Sequence, residues 1–292
     1  MAIANYKVPQ SIDEAVQLLA SSDGACKVLA GGTDLIIQSK AQSDAPLQVV
    51  DIKKIEGMVS AELDAQGLTL GPAMNCAEFT ARKDIGALYP GLVEAAYLIG
   101  SSQVQGRCSV GGNLCNASPA ADTIPALIAN GANCIIQGPA GQRTVAAEDF
   151  VTGVGKNCMQ QGELLKTISI AAPAARTSDA YLRFIPRTEM DIAVAGAAVS
   201  LTLDESGICT AARVAIGAVA TTALLVPSAA AALIGSAIDS TALEAAAAAV
   251  SAAATPISDR RGTAEFRRHV VGVLVKRAAV IAAQRVTGEK GE

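Results

Sequence analysis

The sequence predicts an α+β protein of about two domains, and three observations carry that prediction. Strand-length apolar runs alternate with capped helical segments through the first 170 residues. A loop of small and polar residues, Ala171 to Asp179, then interrupts the pattern. Beyond it, strand-like runs give way to a last third that reads as helix. The expected domains are 1–175, with subdomains of about 1–53 and 54–175, and 176–292. A chain of 292 residues is long enough to bury two cores.

Element by element, Ser11 is an N-cap candidate with Glu14 three residues on, and Ile12, Ala15, Val16 and Leu19 give Ser11–Ala20 one apolar helical face. Lys27–Leu29 is a short buried strand that stops at Gly31-Gly32, after which Leu35–Ile37 resumes the apolar run. Leu47–Ile52 and Leu68–Ala73 read as strands, and Asn75–Arg82 as a helix boxed by Asn75 and Glu78. Leu92–Ile99 is a helix ended by Gly100, and Ser109–Asn116 a second glycine turn. Pro125–Asn130 is a helix with its proline near the first turn. Cys134–Gln137 and Leu164–Ile170 are strands, with a hairpin-like turn at Pro139–Gln142. In the second half, Ala180–Ile185, Val194–Leu203 and Ala212–Val219 are strands, with a turn at Asp204–Gly207. Ser240–Ala253 and a basic amphipathic segment, about Thr263–Val286, are helices.

Composition narrows the function classes. Apolar residues make up 51% and charged residues 17%, as in compact globular chains. A net charge of −4, 3% aromatics and no Trp provide neither a basic footprint nor a base-stacking surface, so no nucleic acid partner is expected. The alanine-rich stretch Ala229–Ala254 is broken by Gly235, Ser236, Asp239, Ser240 and Glu244, so a helix pair is expected rather than a membrane segment. The start, Met1–Lys7, lacks a charged region followed by an apolar one, and the cytoplasm is the default location. Cys26, Cys76, Cys108, Cys115, Cys134, Cys158 and Cys209 are scattered without metal-ligand spacing and read as small packing residues. His269 is the only histidine, which leaves little room for a His-based metal site, a Ser-His-Asp triad or a Cys-His dyad.

The chemistry-bearing features are the two glycine turns. In Ala30-Gly31-Gly32-Thr33-Asp34-Leu35, the glycines allow positive φ and close approach of backbone to ligand, and successive N–H groups can form a nest around a diphosphate. No cation lies within the turn, so the backbone must supply most donors. It is neither a dinucleotide G-x-G-x-x-G fingerprint nor a P-loop. The second stretch, Ser109-Val110-Gly111-Gly112-Asn113 through Asn116 to Asp122, is small or amide-bearing, and Asp122 could accept from a ribose hydroxyl or an adenine amine.

Together, the two motifs resemble the FAD-binding medium subunit of molybdenum hydroxylases, the family of carbon monoxide dehydrogenase, xanthine dehydrogenase and bacterial aldehyde or N-heterocycle dehydrogenases. Two further stretches, Tyr181–Ala193 and Asp259–His269, carry the same likeness, which therefore covers almost the whole chain. The resemblance implies two FAD-clamping subdomains of the vanillyl-alcohol-oxidase type and a C-terminal antiparallel sheet with helices. It implies that Val28, Leu29, Ala30, Gly31, Gly32, Thr33, Asp34 and Leu35 hold the pyrophosphate. Ser109, Gly111, Gly112, Asn113, Asn116 and Asp122 would line the other side of the dinucleotide. Ile99, Leu165, Arg183 and Ile192 would fall near the isoalloxazine ring. Ile192 stands where relatives place an aromatic, which should alter ring packing rather than FAD binding.

The charged run Arg183, Arg187, Glu189 and Asp191 reads either as a solvated loop or as control of access to the flavin. Arg260, Arg261, Arg267, Arg268, Lys276 and Arg277 read as a solvated or subunit-facing stripe that includes His269. The chain has no ligand set for molybdenum or iron–sulfur, so the resemblance implies partners: a large molybdopterin-binding subunit and a small subunit with two [2Fe–2S] clusters, in a dimer of heterotrimers. This chain would pass electrons from those clusters through non-covalent FAD to an external acceptor. A free-standing flavin oxidase of the same broad fold and a flavin-free scaffold subunit are the alternatives.

Overall fold

The computed structural model describes residues 3–22, 25–41, 47–188 and 190–288. Glu189 lies outside the described residues.

The first unit contains β1 (Ile3–Lys7), α1 (Ile12–Ala20), β2 (Ala25–Leu29), α2 (Leu35–Ala41) and β3 (Leu47–Asp51). Its strands form a parallel sheet in the order β1-β3-β2. Ser11 caps α1, its hydroxyl accepting from the Glu14 N–H at 3.2 Å. Glu14 reaches back one residue further than a capping box requires, to the Gln10 N–H at 2.8 Å. Ala15, Val16 and Leu19 bury the inner face of α1 against Val50, Ile52 and Met58. The apolar run expected to resume at Leu35 is the helix α2. Its Ile36 and Ile37 face outward, so its apolar residues do not mark a buried strand.

The second unit opens with the hairpin β4 (Ala61–Asp64) and β5 (Gly67–Leu70) and then runs through helices α3 (Cys76–Thr80), α4 (Lys83–Leu88), α5 (Pro90–Tyr97), α6 (Ser102–Gln105), α7 (Val110–Asn116) and α8 (Thr123–Ala129). It closes with β6 (Asn133–Gly138), β7 (Gly141–Ala146), α9 (Ala147–Phe150), β8 (Val151–Gly153), β9 (Lys156–Asn157) and β10 (Leu164–Ala171). The main sheet is antiparallel, ordered β4-β5-β10-β6-β7, and β8 pairs with β9. Leu68, Leu70, Ile136 and Ile168 of the sheet pack into one core with Phe79, Leu92, Leu114 and Leu127 of the helices. Each such side chain stabilises the fold by about 1.5–3 kcal/mol through burial.

The second glycine turn is a correction. Residues 110–116 form the helix α7, capped by Ser109, whose hydroxyl accepts from the Gly112 N–H at 3.1 Å. Neither Gly111 nor Gly112 is among the residues with positive φ; the left-handed residue is Ala117 at φ 52, which ends the helix. Gly111 is small for a packing reason: a Cβ there would lie 2.5 Å from Pro72.

The third unit is a meander of β11 (Thr177–Phe184), β12 (Ala195–Leu203), β13 (Cys209–Gly217) and the short β14 (Leu224–Leu225), followed by α10 (Pro227–Leu233), α11 (Ser240–Ala253) and α12 (Ala264–Thr287). Both faces of this sheet are buried. Ala180, Ala197, Val199, Val214 and Ile216 join a core with α10, α11 and α12. Their alternates Tyr181, Ala198 and Ala215 join the core of the second unit, where α5 packs on β11 and α8 on β12 and β13. The alanine-rich stretch forms the pair α10 and α11, and among the described residues no helix is long and apolar enough to cross a membrane.

The basic stripe of the last helix also needs correcting at one position. Arg267 is buried, donating from Nη1 to the carbonyls of Val194 (2.9 Å) and Ala218 (3.2 Å) and from Nη2 to Asp259 (2.7 Å). It shares the inner face with Val271, Leu274, Val275 and Ala278, as helical periodicity requires. Arg260, Arg268, Arg277 and His269 are exposed.

Candidate functional site

The first and second units meet at a cleft of about 740 Å³. That size falls in the range of small-molecule and cofactor sites. Its first wall is the link from β2 to α2. Gly32 has φ +81, a conformation costly for any residue with a Cβ. Gly31 answers a different demand: a Cβ there would lie 1.9 Å from the Arg107 carbonyl oxygen, so glycine lets the first turn touch the segment leading into α7. Among the described residues, the N–H groups of Gly31, Gly32, Thr33 and Asp34 donate to no protein acceptor. Four consecutive unused donors at a cleft wall suit an anionic, oxygen-rich ligand such as a diphosphate.

A second wall, in contact with the first, is the start of α7, contributing Ser109, Gly111, Gly112, Asn113 and Asn116. The oxygen of Asn113 is occupied by the Thr123 hydroxyl (2.6 Å), which leaves its NH₂ as the polar group for a ligand. Asn116 is clasped across the gap by Gln38, whose Nε2 donates to Asn116 Oδ1 at 2.9 Å. Partial desolvation in the cleft raises the Asp34 carboxyl above the ordinary carboxylate range.

The structure therefore brings Val28, Ala30, Gly31, Gly32, Thr33, Asp34 and Leu35 together with Ser109, Gly111, Gly112, Asn113, Asn116, Ile99 and Leu165 around one space. It leaves Leu29, Asp122, Arg183 and Ile192 outside the cleft wall. The Leu29 side chain lies behind Gly32, where a Cβ would meet it at 2.7 Å. Asp122 and Arg183 face each other in a buried ion pair of 2.7 Å, and the Tyr181 hydroxyl donates to the other carboxylate oxygen at 2.8 Å. Burial pushes the Asp122 carboxyl up to about 6 against the opposing pull of Arg183 and Tyr181. Arg183 is thus no part of a solvated loop, whereas Arg187 is exposed and pairs with Asp191 at 3.0 Å. Ile192 is half exposed on the segment between β11 and β12.

Of a third wall, the 155–165 segment, sequence reasoning named only Leu165 and missed Asn157, Gln160, Gln161 and Gly162. It also missed that Cys26, Cys108 and Cys115 line the cleft, and that Lys53 stands behind the first turn, its Nζ 2.9 Å from the Ala30 carbonyl. No local sequence signal marks Lys53; its place comes from the parallel pairing of β2 with β3, which sets Leu29 beside Asp51 and so places residues after Asp51 beside the turn.

Comparison with known proteins agrees with this geometry. Residues 2–173 match the family model described as the FAD binding domain in molybdopterin dehydrogenase, and residues 180–282 that of the CO dehydrogenase flavoprotein C-terminal domain. The carbon monoxide dehydrogenase medium chain of Afipia carboxidovorans is 34% identical over 275 residues, 94% of each chain. The xanthine dehydrogenase FAD-binding subunit of Escherichia coli O157:H7 is 30% identical over 276 residues, again 94% of each. Reconstituted CO dehydrogenase from Oligotropha carboxidovorans superimposes with a TM-score of 0.91 at 33% identity, covering 96% of this chain and 98% of that one. The expected two-subdomain FAD-binding fold with its C-terminal sheet and helices is thereby established, and this chain belongs to the FAD-binding medium-subunit family of the molybdenum hydroxylases.

Proposed function

We propose that this chain holds one FAD non-covalently in the cleft between its first two units. In this reading it serves as the electron-transfer subunit of a complex with a large molybdopterin-binding subunit and a small subunit with two [2Fe–2S] clusters. The observation that carries the reading is the set of four unused N–H donors, Gly31 to Asp34, on residues that line the same cleft as the amide-rich start of α7. These donors would hold the diphosphate, with Asn113 and Asn116 on the far side. Ile99 and Leu165 would supply apolar wall for the ring end. The bound flavin supplies a redox centre that takes electrons singly or in pairs; the chain supplies binding, orientation and field. His269, exposed on α12, lies outside the cleft, which supports a hold without a histidyl bond. We read a dimer of heterotrimers, a cytoplasmic location supported by seven free cysteines, and a domain division near residue 175, supported by the change of sheet between Ala171 and Thr177.

The test is Gly32→Val in the natively purified complex. A β-branched residue at φ +81, with Leu29 Cδ1 already 2.7 Å from its Cβ, removes the turn geometry the diphosphate needs. The variant should lose FAD and turnover with the natural acceptor, yet keep substrate-driven bleaching of the iron–sulfur absorbance. Leu233→Val, in the distant helical core, should keep its flavin, and acid precipitation of the wild type should leave the yellow colour in the supernatant. Full flavin occupancy in Gly32→Val, or colour retained on the denatured chain, would overturn the site or the mode of attachment respectively.

A further inference from the structure

We propose that Lys53 is a positioning residue for the cofactor: it locks the peptide plane between Ala30 and Gly31 so that the Gly31 N–H faces the cleft. The inference rests on the reading of the first turn as the diphosphate site. Lys53 Nζ donates to the Ala30 carbonyl at 2.9 Å and pairs with Asp51 Oδ1 at 2.7 Å. Ala30 and Gly31 line the cleft, whereas Lys53 does not, so the Ala30 oxygen is drawn toward a point outside the cleft wall. Carbonyl and N–H point in opposite directions across a trans peptide, and no peptide bond among the described residues is cis. Fixing the oxygen outward therefore fixes the Gly31 N–H inward.

A lock is needed because glycine is what the turn must have there. The close approach of Arg107 excludes any Cβ at position 31, and without a Cβ the plane can rotate at little steric cost. A rotated plane would present the Ala30 oxygen to an anionic ligand in place of a donor. Lys53 is itself held. Asp51 is buried, and it accepts from the Lys53 N–H at 3.0 Å and from the Tyr6 hydroxyl. Burial raises the Asp51 carboxyl, but the hydrogen bonds of Lys53 and Tyr6 outweigh it and hold the group below its ordinary range. It stays a carboxylate able to anchor the ammonium. The ammonium also places positive charge behind the four open donors, where it favours an anion.

The experiment compares Lys53→Met, Lys53→Arg and Gly32→Val in the natively purified protein after flavin removal, titrated with FAD and with ADP. ADP shares the diphosphate but lacks the ring. Lys53→Met should weaken both ligands by about tenfold or more. Any fall in the melting temperature of the flavin-free protein caused by the stranded Asp51 should be recovered by adding Asp51→Asn, while the affinity is not. Lys53→Arg should recover most of the affinity by restoring a cationic donor. Wild-type affinity for FAD and ADP in Lys53→Met, with Gly32→Val defective, would overturn the lock and leave the site standing. Loss of affinity in parallel with loss of melting temperature, unrescued by arginine, would overturn it in favour of a structural role. Gly32→Val binding both ligands normally would remove the site on which the inference rests.

Discussion

At the scale of single residues, the ion pair between Arg183 and Asp122 is the most consequential polar contact outside the cleft. Both side chains are less than a tenth exposed, and Arg183 Nε finds no protein acceptor. Removing one member of a buried pair strands the other, at about 3–5 kcal/mol. Arg183→Met should therefore destabilise the chain, and adding Asp122→Asn should recover part of the loss. The pH dependence follows from the folded value of about 6 for Asp122, raised by burial from an unfolded value of 3.8. An acid raised in the folded state costs stability as pH rises through that interval, and the cost is absent below it. Without Arg183 the folded value moves further up. The melting-temperature difference between wild type and Arg183→Met should thus be larger at pH 8 than at pH 5. A difference independent of pH would show that Asp122 is not the stranded group. None of this was legible in the sequence. Arg183 read as one charge in a run, and Asp122 as a ligand for ribose, because nothing local reveals that β11 brings them together across 61 residues.

At the scale of elements, caps separate what a sequence reveals from what it hides. Ser11, Asn75 and Thr263 each accept from an N–H three residues on, and local spacing alone suffices to see such caps. The start of α5 follows another rule. Its Gly91 and Leu92 N–H groups donate to Asp179, at 2.9 and 3.2 Å, from 88 and 87 residues away, and Asn130 Nδ2 adds a third bond at 2.7 Å. Gly91 must be glycine because a Cβ would meet Asp179 Oδ2 at 2.7 Å. Asp179→Ala should cost about 2–3 kcal/mol, since it removes a cap and leaves buried donors unpaired. That loss should appear as a fall of several degrees in a thermal melt monitored by circular dichroism. A fall within one degree would show that water replaces the carboxylate at no cost. The misreading of α7 as a turn has the same origin: a Gly-Gly pair signals either positive φ or close approach, and only Pro72, brought over from the end of β5, decides between them.

At the scale of the whole molecule, most of the cleft is assembled from three stretches, 27–38, 108–116 and 155–165, that are distant in sequence and brought together by the packing of the first two units. The first two were legible because glycine pairs mark them. The third carries no motif, and only the antiparallel place of β10 between β5 and β6 brings its lead-in to the site. The double-faced sheet of the third unit ties that unit to the second, since its two faces feed two cores. Ligand binding should therefore register at two levels. Globally, a saturating cofactor at a hundred times its dissociation constant should add about 2.7 kcal/mol to apparent stability. Locally, hydrogen exchange should slow in peptides from all three stretches together, including the open amides of Gly31 to Asp34. Amides of α10 and α11, remote from the cleft, should slow only where their exchange already requires global unfolding. Comparing exchange with and without FAD in the natively purified protein distinguishes this wall from any other site. Protection confined to one of the three stretches, or centred on residues 227–253, would mean that the flavin does not lie in this cleft.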